Sequence, residues 1–336
     1  MELIPESLHR KSGASSIYET MFLKMEKPVP IIVGPTAVGK TGVSLFLAQR
    51  LENVEIISAD SRQIYRLMNI GTAKPTPEEL SLVPHHFIDI KNPDEHYSAG
   101  KFGREARQKI EELLRENKQP VVVGGSGLYI RALVDGFFEK QASDSAVKAR
   151  LKQQMSEKGV AFLFERLQKI DPISAERIHP NDGHRIVRAL EVYELTNIPL
   201  SSFQEQESQT ANFAPVFIGL TMEREKLYRI IEERVDRMIE YGLVAEIEHL
   251  RSLGYPSHWN SLQTVGYREV FDYFDNKYDF DEMIRLIKQR SRNYAKRQLT
   301  WFRKDKRIRW FSVDEFHNTN ELCDAIVTAI NDSREE

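Results

Sequence analysis

The chain has 336 residues, enough for about two domains with a buried core, and 41% of them are apolar, which excludes an intrinsically disordered protein. Its 47 basic and 50 acidic residues nearly cancel, and its apolar runs fall far short of the ~18 residues that would cross a bilayer. The single cysteine, Cys323, excludes an intramolecular disulfide and a zinc site made of clustered cysteines.

The first 27 residues lack periodicity, and they contain neither an apolar signal region nor the acid-poor composition of a transit peptide. We therefore expect a poorly ordered N-terminal extension on a cytoplasmic protein. From Pro28 onwards, short apolar runs alternate with amphipathic stretches. The predicted helices of this part are 40–51, a helix that begins after its cap Ser98, and a helix that ends at Val134. The predicted strands are 28–33, 54–58, 120–123 and 214–220.

This alternation predicts an α/β fold with a parallel sheet covered by helices on both faces. Residues 141–212 interrupt it, because they are charged, helical in pattern, free of β-branched runs and closed by a polar segment. We predict a helical insertion domain there, inside a core domain made of 28–140 and 213–336. The helices predicted after the last strand are 223–241, 243–252 and 281–303.

Basic residues are concentrated in 285–309, which carries eleven of them against one acid, a net charge of +10 that leaves −13 on the rest of the chain. Tyr294, Trp301, Phe302 and Trp310 lie among these charges. A basic strip with aromatic side chains is typical of a nucleic-acid surface. The alternative is a solvated helix face whose aromatic residues pack on the core, and composition alone leaves both open.

A phosphate-binding loop follows the first predicted strand, because GPTAVGKT matches the pattern G-x-x-x-x-G-K-[ST] between a strand and an amphipathic helix. This loop is typical of the P-loop NTPase-like α/β fold. Backbone amides and the helix N-terminus would surround a phosphate, Lys40 would neutralise it, and the Thr41 hydroxyl would bind Mg²⁺. No strand ends in an obvious Walker-B aspartate, so the bound phosphate need not belong to a hydrolysed nucleotide. The predicted diphosphate-binding residues are Gly34, Pro35, Thr36, Ala37, Val38, Gly39, Lys40 and Thr41.

Eight motifs in order over about 28–310 resemble the tRNA dimethylallyltransferase family, also called the IPP transferases. The resemblance implies transfer of a dimethylallyl group from dimethylallyl diphosphate to N6 of adenosine 37 in tRNA, with Mg²⁺, by a monomer that needs no membrane. The loop would then hold the diphosphate of the isoprenoid. The motifs are Gly34–Thr41, Ser58–Tyr65, Gly71–Pro75, Pro84–Asp89, Gly124–Tyr129, Asp171–Glu191, Val265–Arg268 and Lys296–Arg303.

The same resemblance implies three catalytic residues. Asp60 matches the aspartate that hydrogen-bonds N6 and is proposed as general base. Ser126 stands where the family usually has threonine, and it keeps the hydroxyl. Arg224 matches an arginine that pairs with diphosphate oxygens, whereas Ile230 stands where some relatives carry a basic residue.

The resemblance further implies that the target base is turned out of the anticodon loop and that the insertion domain grips the anticodon stem. The residues implied to contact tRNA are Asp60, Ser61, Arg62, Gln63, Ser126, Lys148, His184, Arg185, Ile186, Val187, Arg188, Gln263, Thr264, Val265, Gly266, Tyr267, Arg268, Lys296, Arg297, Gln298, Leu299, Thr300, Trp301, Phe302 and Arg303.

Two other functions compete with prenyl transfer. A nucleoside or nucleotide kinase would use Lys40 and Thr41 for ATP and would not need the basic strip. A non-catalytic RNA-binding module would need the strip alone, and Lys40→Ala would leave its activity intact.

Overall fold

The computed structural model describes residues 27–136, 144–204 and 211–333. Most of the predicted N-terminal extension lies outside these residues. The chain divides into two compact units, of which one comprises the residues up to Val134 together with those from Ala211, and the other comprises Asp135–Thr210. Among the described residues, no helix is both long and apolar enough to cross a bilayer.

The first unit contains a six-stranded parallel sheet with the strand order β3-β2-β4-β1-β5-β6. The predicted α/β fold is therefore confirmed, and all four predicted strands are present. Both edges of the sheet are short, because β3 has two residues and β6 has four. The strands are β1 Val29–Val33, β2 Val54–Ser58, β3 His85–His86, β4 Gln119–Gly124, β5 Pro215–Thr221 and β6 Arg309–Ser312.

Helices cover both faces of the sheet in this unit. On β1, Val29, Ile31 and Val33 point into one apolar core and Ile32 into the other, as the two-residue period of a strand requires. Every residue of β1 is buried, which explains the unbroken apolar run in the sequence. The helices of this unit are α1 Lys40–Ala48, α2 Pro77–Leu82, α3 Ala99–Arg115, α4 Gly127–Val134, α9 Arg224–Glu240, α10 Leu243–Ser252, α11 Tyr267–Phe274, α12 Phe280–Phe302 and α13 Thr319–Asp332.

The second unit is helical throughout its described part. Its longest helix changes direction at Gly159, whose φ of 84° is left-handed. The unit has its own core, which includes Leu151, Leu163, Ile186 and Leu190. Its helices are α5 Ser145–Ile170, α6 Pro172–Arg177, α7 Gly183–Thr196 and α8 Leu200–Gln204.

Helix starts follow the side-chain chemistry of the sequence. Ser98 caps α3 as predicted, because its hydroxyl accepts a hydrogen bond from the Lys101 amide at 3.1 Å. The sequence did not indicate β3, β6, α2, α11 or α13. The two missed strands lie at the edges of the sheet and are too short to show an apolar period.

Candidate active site

The site lies at the carboxyl ends of β1, β2 and β4, where parallel strands place their following loops side by side. These loops begin at Gly34, Ala59 and Gly125. Close backbone approach is visible at Gly34, where a Cβ would lie 2.6 Å from the Leu220 carbonyl oxygen. The sheet therefore brings the phosphate loop and the predicted catalytic loop to one edge.

The phosphate loop borders a cavity of about 330 Å³, which we call the phosphate cavity. The Lys40 ammonium donates hydrogen bonds to the carbonyl oxygens of Gly34 at 3.1 Å and Pro35 at 2.7 Å. Val38 is buried and faces the core rather than the cavity. The cavity is lined from the loop and α1 by Thr36, Ala37, Gly39, Lys40 and Thr41.

Three cationic side chains face this cavity: Lys40, Arg234 and Arg237. Burial lowers the pKa of Lys40 to about 8, the charge of Asp60 opposes that shift, and Arg234 adds to it. Burial also lowers the pKa of Arg234, whose Nη1 lies 3.5 Å from the Thr36 hydroxyl. Clustered, partly buried cations are unfavourable unless an anion joins them. The charges that line this cavity are therefore suited to an anion.

The loop after β2, which is the predicted catalytic loop, holds Asp60 in a fixed orientation. Its Oδ1 accepts hydrogen bonds from the amides of Arg62 at 2.8 Å and Gln63 at 3.3 Å. The Ser126 hydroxyl accepts a bond from the Ser61 amide at 3.0 Å and donates to the Ser61 hydroxyl at 3.2 Å. Asp60 and Ser126 thus lie in two loops that are joined by hydrogen bonds. Through these bonds Ser126 holds Ser61, the residue next to Asp60, in place.

Arg62 and Gln63 also fasten this loop to its surroundings. Arg62 Nη1 donates to the Asn260 carbonyl oxygen at 2.6 Å. Gln63 donates to the Ala73 carbonyl oxygen at 3.1 Å and accepts from the Ser58 hydroxyl at 3.1 Å. Both were predicted to contact tRNA, and these hydrogen bonds join them to other parts of the protein.

Two further cavities adjoin the phosphate cavity. One, of about 290 Å³, shares Asp60 and Arg234 with it and has an apolar wall; we call it the apolar cavity. The other, of about 380 Å³, is lined by Ser126, Trp301 and four tyrosines; we call it the aromatic cavity. Tyr294 of α12 lines all three. The apolar wall consists of Ile231, Val235, Met238, Val265 and Ile287.

The structure places Arg224 outside the three cavities. This residue is exposed at the start of α9, its guanidinium lies over the Tyr228 ring at 5.2 Å, and it lines none of these cavities. Arg234 lies ten positions further along the same helix, about 15 Å away at 1.5 Å per residue. One feature of the sequence could have pointed to Arg234. It lies between two apolar residues of the helix, Ile231 and Val235, which are both buried.

Several residues that were predicted to contact tRNA have buried side chains. Ile186 and Val187 pack in the core of the second unit, and Phe302 packs in the core of the first. Tyr267 is fully buried, and its hydroxyl donates to Glu246 at 2.6 Å. A contiguous helical motif always turns part of its length inward. Exposed predicted contacts are Lys148, His184, Arg185, Gln263, Arg268, Lys296, Arg297, Thr300, Trp301 and Arg303.

The basic strip of α12 divides into two halves. In the first half, all four basic residues of the helix have acidic partners. In the second half, no ion pair is found within the described ranges for Lys296, Arg297, Arg303 or Lys304. The pairs of the first half are Arg285–Glu282, Lys288–Asp236, Arg290–Glu269 and Arg292–Glu232.

The second half of α12 and the turn that follows it present one surface that we call the basic face, made of Asn293, Lys296, Arg297, Thr300, Trp301 and Lys304. Trp301 is 39% exposed there and does not pack in the core. Free cations beside an exposed indole suit a phosphate backbone and a stacked base. The second half therefore has the features expected of a nucleic-acid surface, although Phe302 packs in the core as the alternative reading required.

The oxygen ligands at the phosphate cavity fit a magnesium ion. Thr41 and the Asp60 carboxylate line the same cavity. A Mg²⁺ that accompanies a phosphate substrate takes most of its ligands from phosphate and water, so it needs few from the protein. Consistent with this, the described part of the chain contains no cluster of three or more His, Cys, Asp or Glu residues that could hold a metal by itself.

The chain is similar to proteins of one known family. The family model "IPP transferase" matches residues 63–305. A tRNA dimethylallyltransferase 1 from Syntrophotalea carbinolica is 47% identical over 304 residues, which cover 90% of this chain and 96% of the relative. The tRNA dimethylallyltransferase of Carboxydothermus hydrogenoformans is 45% identical over 306 residues, which cover 90% of this chain and 97% of the relative.

Two solved structures are also similar. The tRNA isopentenylpyrophosphate transferase of Bacillus halodurans matches with a TM-score of 0.67 and 41% identity, covering 92% of this chain and 99% of that one. A eukaryotic dimethylallyltransferase acting on tRNA matches with a TM-score of 0.74 and 29% identity, covering 90% and 78%. The resemblance found in the motifs is therefore confirmed, and the chain belongs to the IPP transferase family.

Proposed function

We propose that this protein transfers a dimethylallyl group from dimethylallyl diphosphate to N6 of adenosine 37 in tRNA. Its relatives are named for dimethylallyl transfer to tRNA, which supports the reaction. The observation that carries the proposal is that Lys40, Arg234 and Asp60 line one cavity. A cluster of cations for a leaving diphosphate thus stands beside a carboxylate that can take a proton.

The donor would place its diphosphate in the phosphate cavity. Lys40, Arg234 and the loop amides would stabilise the negative charge that grows on the diphosphate as the bond from C1 to oxygen breaks. Mg²⁺, held at Thr41, would supply further neutralisation of that charge. The five-carbon group would lie against the apolar wall, where Ile231 and Val235 exclude water.

The acceptor is an aromatic amine whose lone pair is delocalised into the purine, so it is a weak nucleophile. As N6 attacks C1 of the dimethylallyl group, it must lose a proton, and Asp60 is placed to accept it. Asp60 Oδ1 is held by two amides, which leaves Oδ2 for the amine. We propose that the extruded base reaches Asp60 through the aromatic cavity, past Ser126 and Trp301.

The basic face of α12 would bind the anticodon loop, and exposed basic residues of the second unit, Lys148 and Arg185 among them, would bind the stem. We further propose that the protein acts as a monomer in the cytoplasm. A kinase would need no apolar wall and no unpaired cations on α12, and a simple RNA-binding module would need no cation cluster beside Asp60. Both observations favour prenyl transfer.

The direct test is to incubate the purified protein with labelled dimethylallyl diphosphate, Mg²⁺ and tRNA, and to analyse the nucleosides. We expect N6-dimethylallyladenosine, formed without ATP and not formed when Mg²⁺ is chelated. In a parallel incubation with γ-labelled ATP and nucleosides or nucleotides as acceptors, transfer of the labelled phosphoryl group with release of ADP would instead identify a kinase. Absence of the modified nucleoside with an intact, folded protein would refute the proposal.

The pKa of Lys40 predicts how pH affects anion binding. Its ammonium loses its proton as the pH rises through about 8, and the attraction for diphosphate is lost with it. We expect the Kd for pyrophosphate to rise about tenfold from pH 7 to pH 9. Calorimetry on the protein and on Lys40→Arg, whose guanidinium keeps its proton, separates this effect from the ionisation of pyrophosphate. Parallel curves for the two proteins would contradict it.

The division of the strip predicts which cations bind RNA. Arg297→Gln should weaken tRNA binding and reduce the slope of log K against log salt by about one, because one phosphate contact is lost. The matched control is Arg285→Gln, since Arg285 already pairs with Glu282 at 2.6 Å. Filter binding across a salt series measures both slopes. Equal slopes for the two variants would show that the basic face lies elsewhere.

A further inference from the structure

Gln298 occupies an unusual place on α12. It is buried, whereas its neighbours Arg297 and Trp301 are exposed on the basic face. Its side-chain amide has both ends bonded: Oε1 accepts from the Thr36 amide at 2.8 Å, and Nε2 donates to the Gly125 carbonyl oxygen at 3.0 Å. A single side chain therefore joins the phosphate loop, the loop after β4 and the helix.

The fit around this amide is close. A Cβ at Gly125 would lie 2.3 Å from Gln298 Nε2, so the glycine is what lets the two approach. The hydrogen bond from the Thr36 amide to Gln298 also engages one amide of the phosphate loop. It fixes the position of the first turn of that loop. Gln298 lines both the phosphate cavity and the aromatic cavity, at the border between them.

We propose that Gln298 is a positioning residue that couples the two substrates, so that tRNA on the basic face strengthens diphosphate binding at the loop, and the reverse. The inference rests on the proposed function. A shift or stiffening of α12 when RNA engages Arg297 and Trp301 would reach Thr36 through one hydrogen bond of Gln298 and Gly125 through the other. Coupling of this kind is reciprocal, because each ligand changes the affinity for the other by the same factor.

The experiment measures Kd for pyrophosphate, in the presence of Mg²⁺, with and without a saturating anticodon stem-loop RNA. We expect the RNA to lower this Kd at least fivefold in the unaltered protein and at most twofold in Gln298→Ala. The affinity for RNA alone should change by less than about threefold, because Gln298 is buried behind the basic face.

The matched control is Gln119→Ala. Gln119 is equally buried, and its Nε2 donates to two carbonyl oxygens, those of Pro28 at 3.0 Å and Pro120 at 3.1 Å. It lies at the opposite end of β4, so its loss should affect stability but leave the coupling intact. Gln298→Glu provides a second variant, which keeps the acceptor for Thr36 but cannot donate to Gly125; we expect an intermediate coupling.

Unchanged coupling in both Gln298 variants, or no coupling in the unaltered protein, would overturn the inference. Prenyl transfer to tRNA is measured on the same preparation. If transfer occurs and coupling does not depend on Gln298, the inference alone fails. If the unaltered protein forms no modified nucleoside, the proposed function fails instead.

Discussion

Asp60→Asn is expected to lower kcat for prenyl transfer by about 10³-fold while the Kd for tRNA changes by less than about threefold. The substitution keeps an oxygen that can accept from the amides of Arg62 and Gln63, so the loop should hold its shape. It removes the basic oxygen that would take the N6 proton, and general-base catalysis is typically worth 10²–10⁴-fold. Single-turnover kinetics and RNA binding, measured on the same protein, provide both numbers.

Asp60→Ala serves as the comparison, because it removes the loop bonds as well as the base. We expect a similar or larger loss of kcat with some loss of donor affinity, since Asp60 also lines the phosphate cavity. If Asp60→Asn retained more than about a tenth of the activity, Asp60 would be a loop anchor and not the base.

Arg234→Gln is expected to reduce kcat/KM for dimethylallyl diphosphate by about 10²-fold or more. Removing one preorganised cation from a site where negative charge develops usually costs this much. Thermal stability should not fall, because a partly buried guanidinium with a lowered pKa is itself unfavourable in the folded protein. Steady-state kinetics with varied donor and a thermal melt test the two expectations.

Arg224→Gln is the matched control on the same helix. Arg224 is exposed and lies over Tyr228, away from the cavities, so we expect kcat/KM within about twofold of the unaltered protein. Equal losses in the two variants would mean that the arginines of this helix attract the donor through long-range electrostatics and that Arg234 makes no special contact with it. A loss confined to Arg224→Gln would support the prediction from the motifs that Arg224 pairs with diphosphate oxygens.

Local features of the site could be predicted from the sequence. The phosphate loop, the strand before Asp60 and the Ser98 cap depend on residues close together in the chain, and each is where the pattern placed it. The motif at Gly124–Tyr129 likewise predicted that Ser126 would follow a strand. Parallel strands then bring these loops to one edge of the sheet, as their common direction requires.

Long-range features could not be predicted in this way. Thr36 and Gln298 are bonded across 262 positions, and no local pattern indicates such a pair. Arg234 faces the cavity only because α9 packs with one particular face inward, and the same packing leaves Arg224 outside. A motif indicates which residues matter but not which side of a helix is buried, so the burial of Tyr267 and Phe302 could not be predicted from it.

The short edges of the sheet have a consequence for how the protein behaves at high concentration. Free backbone groups along an edge strand can template the addition of a strand from another molecule, which is a common route to aggregation. Here one edge offers only His85 and His86, and the other offers four residues that begin with the charged, exposed Arg309. Neither edge is long enough to pair stably with a strand of another molecule. We therefore expect the sheet to resist edge-to-edge association at high protein concentration.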